Sequence, residues 1–157
     1  EPYSYVLMRN YIGNTKLFAY SHLIDNLNLL EGEKGFIYQH YCMGGNSQRQ
    51  YFSDHNGMKI DAIRRTIEQW NSAKRITQDQ YYFLLASLLE SADKVANTAS
   101  VYGAYLKKLK LSAQKELKLQ PAIKSSTSWK MLWVRSFNFW LAVSLTPAGG
   151  TLPSKFL

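Results

Sequence analysis

A chain of 157 residues, 46% of them hydrophobic, is long enough for one domain with a buried core, and its formal charge of +8 favours a polyanionic partner. The lone Cys42 excludes an internal disulfide, and without a basic-then-apolar leader the chain reads as belonging to a reducing, cytoplasmic interior. The longest apolar stretch, Trp129 to Leu145, is broken by Lys130, Arg135 and Asn138. It falls short of the roughly 20 apolar residues of a spanning helix, so no membrane partner is expected.

In chain order, residues 3 to 12 are aromatic and apolar and end at Gly13-Asn14. Thr15 is a fitting N-cap for a second segment, in which Tyr20, Leu23, Ile24, Leu27 and Leu30 recur at helical spacing up to Glu31-Gly32. Both segments are expected to be helical. Phe36 to Cys42 is an aromatic run between glycines and reads as extended, a candidate short strand; Gly44-Gly45-Asn46-Ser47 reads as a loop, and Ser53 to Gly57 as a turn.

Ile60, Ile63, Ile67 and Trp70 then form a narrow apolar stripe at helical spacing. Asp61 with Arg65, and Arg64 with Glu68, stand four apart and are expected on the solvated side as weak pairs. Thr77 and Gln80 have capping-box spacing, so the next helix starts near Gln78. Tyr81, Leu84, Leu85, Leu88, Leu89, Ala92, Val95 and Ala96 give that helix a broad apolar face, which suits a central position. At Asn97-Thr98 the helix either continues or bends, and Val101, Tyr105 and Leu109 extend a helical period beside Lys107, Lys108 and Lys110. Glu116 is the last acid, so the chain beyond it carries Lys118, Lys124, Lys130, Arg135 and Lys155 without a counter-charge.

Three groups of residues could carry function. Lys107, Lys108, Lys110, Lys115 and Lys118 suit phosphate contact or a plain solvated face. Tyr102 and Tyr105 suit base stacking between those lysines or a place at the core rim. Arg49, Gln50 and Tyr51 follow the glycine-rich loop; Arg and Gln match base edges, although a loop arginine is often only solvated. His22, His40 and His55 lack metal-ligand spacing, one cysteine cannot complete a usual zinc site, and no metal is expected. Asn97, near a helix end, is read as a polar core contact or backbone partner in preference to a catalytic group.

Two stretches carry a family resemblance. Tyr51-Phe52-Ser53-Asp54-His55-Asn56-Gly57 with Lys59-Ile60-Asp61-Ala62-Ile63-Arg64 is one. Tyr82 to Glu90 followed by Asp93-Lys94-Val95-Ala96-Asn97-Thr98-Ala99-Ser100-Val101-Tyr102-Gly103-Ala104 is the other. Over about residues 1 to 122 the chain resembles the adenine-specific DNA methyltransferases that use S-adenosylmethionine. Glu1-Pro2-Tyr3-Ser4-Tyr5-Val6-Leu7 is similar to the segment just after that family's second strand, whose end carries a ribose-binding acid; Glu1 would neighbour it.

The resemblance implies a fragment of an enzyme that methylates adenine N6 in double-stranded DNA. Its helical insertion, 49 to 118, would contribute to DNA recognition through Arg49, Gln50, Tyr51, Tyr102, Lys107, Lys108 and Lys110. The fold class expected is mainly α: a helical insertion plus the edge of a Rossmann-like α/β fold, with little strand of its own. The family's chemistry also needs a glycine-rich loop and a Pro-Pro-aromatic motif that holds the extruded adenine. The prolines, Pro2, Pro121, Pro147 and Pro153, are nowhere adjacent and no Gly-x-Gly occurs, so neither catalytic nor cofactor-binding residues are assigned. S-adenosylmethionine is expected in the intact family enzyme and not on this chain alone.

Leu117-Lys118-Leu119-Gln120-Pro121 resembles the family's approach to its catalytic strand, after which residues 123 to 157 turn Trp-rich and acid-free. A reading-frame shift near Pro121 would produce that change. Trp129, Leu132, Trp133, Phe137 and Trp140 fit either an amphipathic helix or an extension exposing aromatic area, and the frame-shift reading favours the extension. A non-enzymatic basic helical module, binding nucleic acid or a protein through residues 94 to 118, is the alternative function.

Overall fold

The computed structural model describes residues 5, 6, 9, 20–99 and 105–122. Among them the fold is mainly helical, with no strand beyond two isolated bridges, Cys42 to Phe52 and Thr98 to Tyr105. The helices are α1 (Ser21–Asn28), α2 (Phe36–Tyr41), α3 (Asp54–Ser72), α4 (Gln78–Val95) and α5 (Leu111–Gln114). Tyr5, Val6 and Arg9 are also helical, as expected for the first segment, whereas Thr15 and the Trp-rich tail lie outside the described residues.

The α3–α4 hairpin is the centre of the molecule. Ser53 begins α3 by accepting the Asn56 N–H on its hydroxyl at 3.3 Å, so the expected turn is the first turn of a helix. Ile60, Ile63 and Ile67 are fully buried, as their stripe requires. A Schellman motif closes α3: Arg75 N–H donates to Trp70 O at 2.8 Å, Lys74 N–H donates to Asn71 O at 3.0 Å, and Lys74 sits at φ 54°. Thr77 and Gln80 form the expected capping box, at 3.2 and 2.8 Å, and α4 starts at Gln78.

Helix α4 is buried on more sides than its apolar face implies. Tyr82, Phe83, Ala86, Ser87 and Ser91 are buried with Leu84, Leu88, Leu89, Ala92 and Val95, while Tyr81 and Leu85 are only partly buried.

The Phe36 to Cys42 run is a helix and not the expected extended strand, because its cap comes from 24 or so residues downstream. Asp61 of α3 accepts the N–H groups of Gly35 at 3.1 Å, Ile37 at 3.0 Å and Tyr38 at 2.8 Å, the unpaired donors of the α2 N-terminus. Asp61 is therefore buried and does not face solvent beside Arg65. Arg65 instead reaches Glu33, with Nη1 donating to Oε2 at 2.9 Å and Nε lying 2.8 Å from Oε1; Glu68 accepts from the Tyr81 hydroxyl at 3.2 Å. Helices α2 and α3 approach so closely that a Cβ on Gly57 would run into Cys42 Sγ.

At the other end of α1, the buried Lys59 of α3 donates from Nζ to Asn28 O at 2.8 Å and to Leu30 O. A cation there suits the negative end of the α1 dipole.

Residues 115 to 122 form an extended strap held by side chains and not by a neighbouring strand. Asn56 accepts the Leu117 N–H at 2.8 Å and donates to Lys115 O at 2.9 Å; Asn28 accepts the Leu119 N–H at 2.8 Å and donates to Leu119 O at 3.0 Å. Ser91 and Ser87 accept the N–H groups of Gln120 and Ala122, both at 3.0 Å. Leu117, Leu119 and Ala122 are buried between these anchors, so the strap closes the core with its polar backbone satisfied.

Candidate nucleic-acid interface

Loop 42–52 leaves α2, turns, and returns to start α3. Gly45 N–H donates to Cys42 O at 3.2 Å, and Tyr51 and Phe52 donate to Tyr41 O at 3.0 and 3.1 Å. The Tyr38 hydroxyl donates to Gly44 O at 2.9 Å and Gly44 N–H donates to Asp54 at 3.0 Å, so both ends of the loop rest on helices. Arg49 is exposed at its end, and Gln50 and Tyr51 are half-buried.

The second segment is 105–110, and the structure corrects the expected helical period there: α4 stops at Val95, Ala96 is extended, and 105–110 is non-helical. The cause is Asn97. Its N–H donates to Tyr51 O at 2.7 Å, and its own carbonyl accepts the Leu106 N–H at 3.0 Å. Its side-chain amide donates to Gln50 O at 2.9 Å and to Leu106 O at 2.8 Å, while Oδ1 accepts the Lys110 N–H at 3.0 Å. These bonds take the backbone groups that a helix through 106 to 110 would have used among themselves. The reading of Asn97 as a buried backbone partner thus holds, in a role wider than one contact.

That junction brings together most of the residues singled out from the sequence. Tyr51 and Tyr105 rings lie 5.0 Å apart, and Tyr41 adds a third ring 5.6 Å from Tyr51. Burial pushes the Tyr41 and Tyr51 hydroxyls above the usual tyrosine range, against the pull of the nearby Arg49 guanidinium. Lys107 and Lys108 are exposed; Lys110 is half-buried and donates from Nζ to Thr98 O at 3.2 Å, which leaves it less free to meet a phosphate. Tyr102 lies outside the described residues. Lys115 and Lys118 are exposed on the strap.

The histidines are scattered: His40 packs on Phe36 at 4.5 Å, His55 lies 3.5 Å from Glu116 at the surface, and His22 is exposed. Among the described residues no three His, Cys, Asp or Glu side chains are grouped to hold a metal ion, and no helix is long and apolar enough to cross a membrane.

Unlike Asn97, the anchors Asn28, Asn56, Ser87 and Ser91 are not singled out by the sequence. Ser87 and Ser91 stand four apart inside an apolar helix face, and a polar pair so placed must find buried partners. That signal was available. Nothing local announced that Asn56 and Asn28 would reach backbone 61 and 91 residues away.

No described residue is assigned to S-adenosylmethionine. The buried polar side chains Asn56, Asn97, Ser87, Ser91 and Asp61 are all directed to the protein's own backbone, and none is aimed into a ligand cradle. No step of methyl transfer is therefore assigned to them.

A helical unit in which one buried asparagine joins an Arg-Gln-Tyr loop to a lysine-bearing segment is the class of structure these observations define. The chain belongs to the D12 class N6 adenine-specific DNA methyltransferases, whose family model matches residues 1–140. It is 60% identical over 124 residues to the type II methyltransferase M.NlaIII of Neisseria lactamica, covering 78% of this chain and 37% of that protein. It is 42% identical over 132 residues to the type II methyltransferase M.CviAII of Paramecium bursaria Chlorella virus 1, covering 82% and 39%. To the modification methylase StsI of Streptococcus sanguinis it is 33% identical over 129 residues, covering 75% and 19%. The chain thus spans less than two fifths of the length of these relatives. No solved structure matches it. Family membership does not favour the alternative of a non-enzymatic module.

Proposed function

We propose that this chain is part of a site-specific methyltransferase that moves a methyl group from S-adenosylmethionine to adenine N6 in double-stranded DNA. Within it, the helical region 49 to 118 supplies DNA contacts: Arg49, Gln50 and Tyr51 towards base edges, and Lys107, Lys108 and Lys110 towards phosphates. Tyr102 joins this set on sequence grounds. The observation that carries the reading is the Asn97 junction, which bonds the 50–51 backbone and the 106–110 backbone to one residue.

In this reading the sheet-forming strands of a Rossmann-like fold lie before Glu1 and after Pro121, and the glycine-rich and Pro-Pro-aromatic devices belong to sequence that these 157 residues do not contain. The composition beyond residue 122 is atypical in this reading, even though the family model reaches residue 140, and the coding DNA tests its origin: an alternative frame beyond Pro121 should encode a Pro-Pro-aromatic motif.

A fluorescence anisotropy titration with a DNA duplex at rising salt tests the contact. Affinity should fall linearly on a log–log plot as salt rises. Binding indifferent to salt would rule out phosphate-driven recognition, and methyl transfer from labelled cofactor by the purified chain would overturn the view that its active centre is incomplete.

A further inference from the structure

We infer that Asn97 is a positioning residue for sequence discrimination, fixing the register between the base-edge loop at Arg49 to Tyr51 and the cationic segment at Lys107 to Lys110. The inference rests on the DNA reading above and adds to it a division of labour. The two segments are separated by more than fifty residues of chain and by two long helices, so nothing local sets their spacing. Asn97 sets it, because one side chain bonds both backbones: its amide donates to Gln50 O and Leu106 O, and its Oδ1 accepts from Lys110.

Its own main chain repeats the link, donating to Tyr51 O and accepting from Leu106 N. Asn97 is fully buried and touches no solvent, so it is not itself placed to meet a ligand. All its polar capacity goes into holding these two strands of backbone at a fixed distance.

The two segments do different work. Phosphate contacts supply affinity on any sequence, while base-edge contacts supply discrimination and tolerate little displacement. Loosening the register should therefore cost discrimination before it costs affinity. The isosteric change Asn97→Asp retains the acceptor for Lys110 N–H but sets one carboxylate oxygen against Gln50 O and Leu106 O, so the side chain loses its bond to the loop and one of its two bonds to the cationic segment.

The test uses the full chain and a duplex library with a randomised core of about a dozen base pairs. Bound and unbound fractions are sequenced, and binding of one arbitrary duplex is followed against salt. The unmodified chain should enrich a motif. Asn97→Asp should retain the salt slope and lower the enrichment about 10- to 100-fold, the range expected when a base-edge contact is lost.

Unchanged enrichment in Asn97→Asp overturns the inference, as does a folded variant that loses salt slope and enrichment together, the mark of a merely structural residue. A measurement on the unmodified chain covers a variant that fails to fold. The amides of Asn97, Leu106 and Lys110 should exchange hydrogen at least about tenfold more slowly with the enriched duplex than with a scrambled one, reflecting closure of the register on the bases. Equal protection by both duplexes overturns it. Absence of any salt-dependent binding by the unmodified chain sinks the DNA reading and this inference with it, whereas salt-dependent binding without enrichment sinks the inference alone.

Discussion

Asp61 does at a distance what a capping residue normally does next door, and the chemistry has two consequences. Two carboxylate oxygens serve three donors, the N–H groups of Gly35, Ile37 and Tyr38. Asp61→Asn replaces one oxygen with an NH2 group that faces a backbone N–H, so at least one buried donor loses its partner. The expected cost is about 1–3 kcal/mol, read as a lower midpoint in urea denaturation. The second consequence concerns pH. Burial, the larger effect, pushes the Asp61 carboxyl above the usual carboxylate range despite the opposing pull of the Tyr38 and Ile37 N–H groups, Arg64 and the Gly35 N–H. The folded chain then holds this proton more tightly than the unfolded chain. The resulting stability is fully present below the ordinary carboxylate pKa and is lost as pH rises through the higher folded value. Denaturation of the unmodified chain relative to Asp61→Asn should show that decline across mildly acidic pH, and parallel curves would refute it. Cys42 is the simpler case: burial, with Asp54 and Asp61 nearby, pushes its thiol up to about 12. Only thiolate alkylates readily. Iodoacetamide at mildly alkaline pH should thus leave Cys42 unmodified in the folded chain and label it once the chain is unfolded.

The elements differ in how far their own residues determine them. Helices α3 and α4 were legible because their signals lie within each segment: the stripe of Ile60, Ile63 and Ile67 in one, the Thr77–Gln80 capping box and the leucines in the other, although the Ser53 N-cap of α3 reads as a turn. Helix α2 was not, since without Asp61 its six residues carry no cap of their own. The 105–110 segment misled for the converse reason, that a local helical period was outweighed by bonds to Asn97. The α3 terminus offers a clean stability test. Lys74 holds the left-handed position of the Schellman motif at φ 54°, where a Cβ is unfavourable. Lys74→Gly should stabilise the chain by about 0.5–1 kcal/mol, seen as a higher melting temperature; no rise would mean that glycine's greater unfolded freedom cancels the gain. The strap gives the opposite sign. Asn56→Ala strips the partner from the buried Leu117 N–H, at a cost of about 1–3 kcal/mol, and amide exchange at Leu117 should accelerate more than exchange at Ile63 in the core. Equal acceleration at both would show that the strap does not open apart from the core.

At the scale of the whole molecule, residues 105 to 122 tie the candidate DNA face to the core: Asn97 holds their beginning, Asn56 their middle, and Asn28, Ser91 and Ser87 their end. The candidate interface was half legible in the sequence. Its residue types stood out as a basic, aromatic set, but the fact that loop 49–51 and segment 105–110 meet depends on asparagine bonds that no periodicity encodes. The net charge of +8 likewise says that a polyanion is attracted without saying where. Position, however, is testable through salt. Each phosphate neutralised contributes about 0.9 to the slope of log affinity against log salt for duplex DNA. Lys107 and Lys108 are exposed at the junction, so replacing both with Gln should lower the slope by about 1.8 if each meets one phosphate. Lys110 already donates to Thr98 O, and Lys110→Gln should lower it by less than either neighbour does. Lys34 sits over the Tyr38 ring at 5.3 Å and is not in the proposed contact set, so Lys34→Gln should leave the slope unaltered. If all four substitutions lower the slope alike, the attraction belongs to net charge alone and the junction is not the DNA face; a loss confined to Lys107 and Lys108 locates the phosphates beside the Asn97 junction.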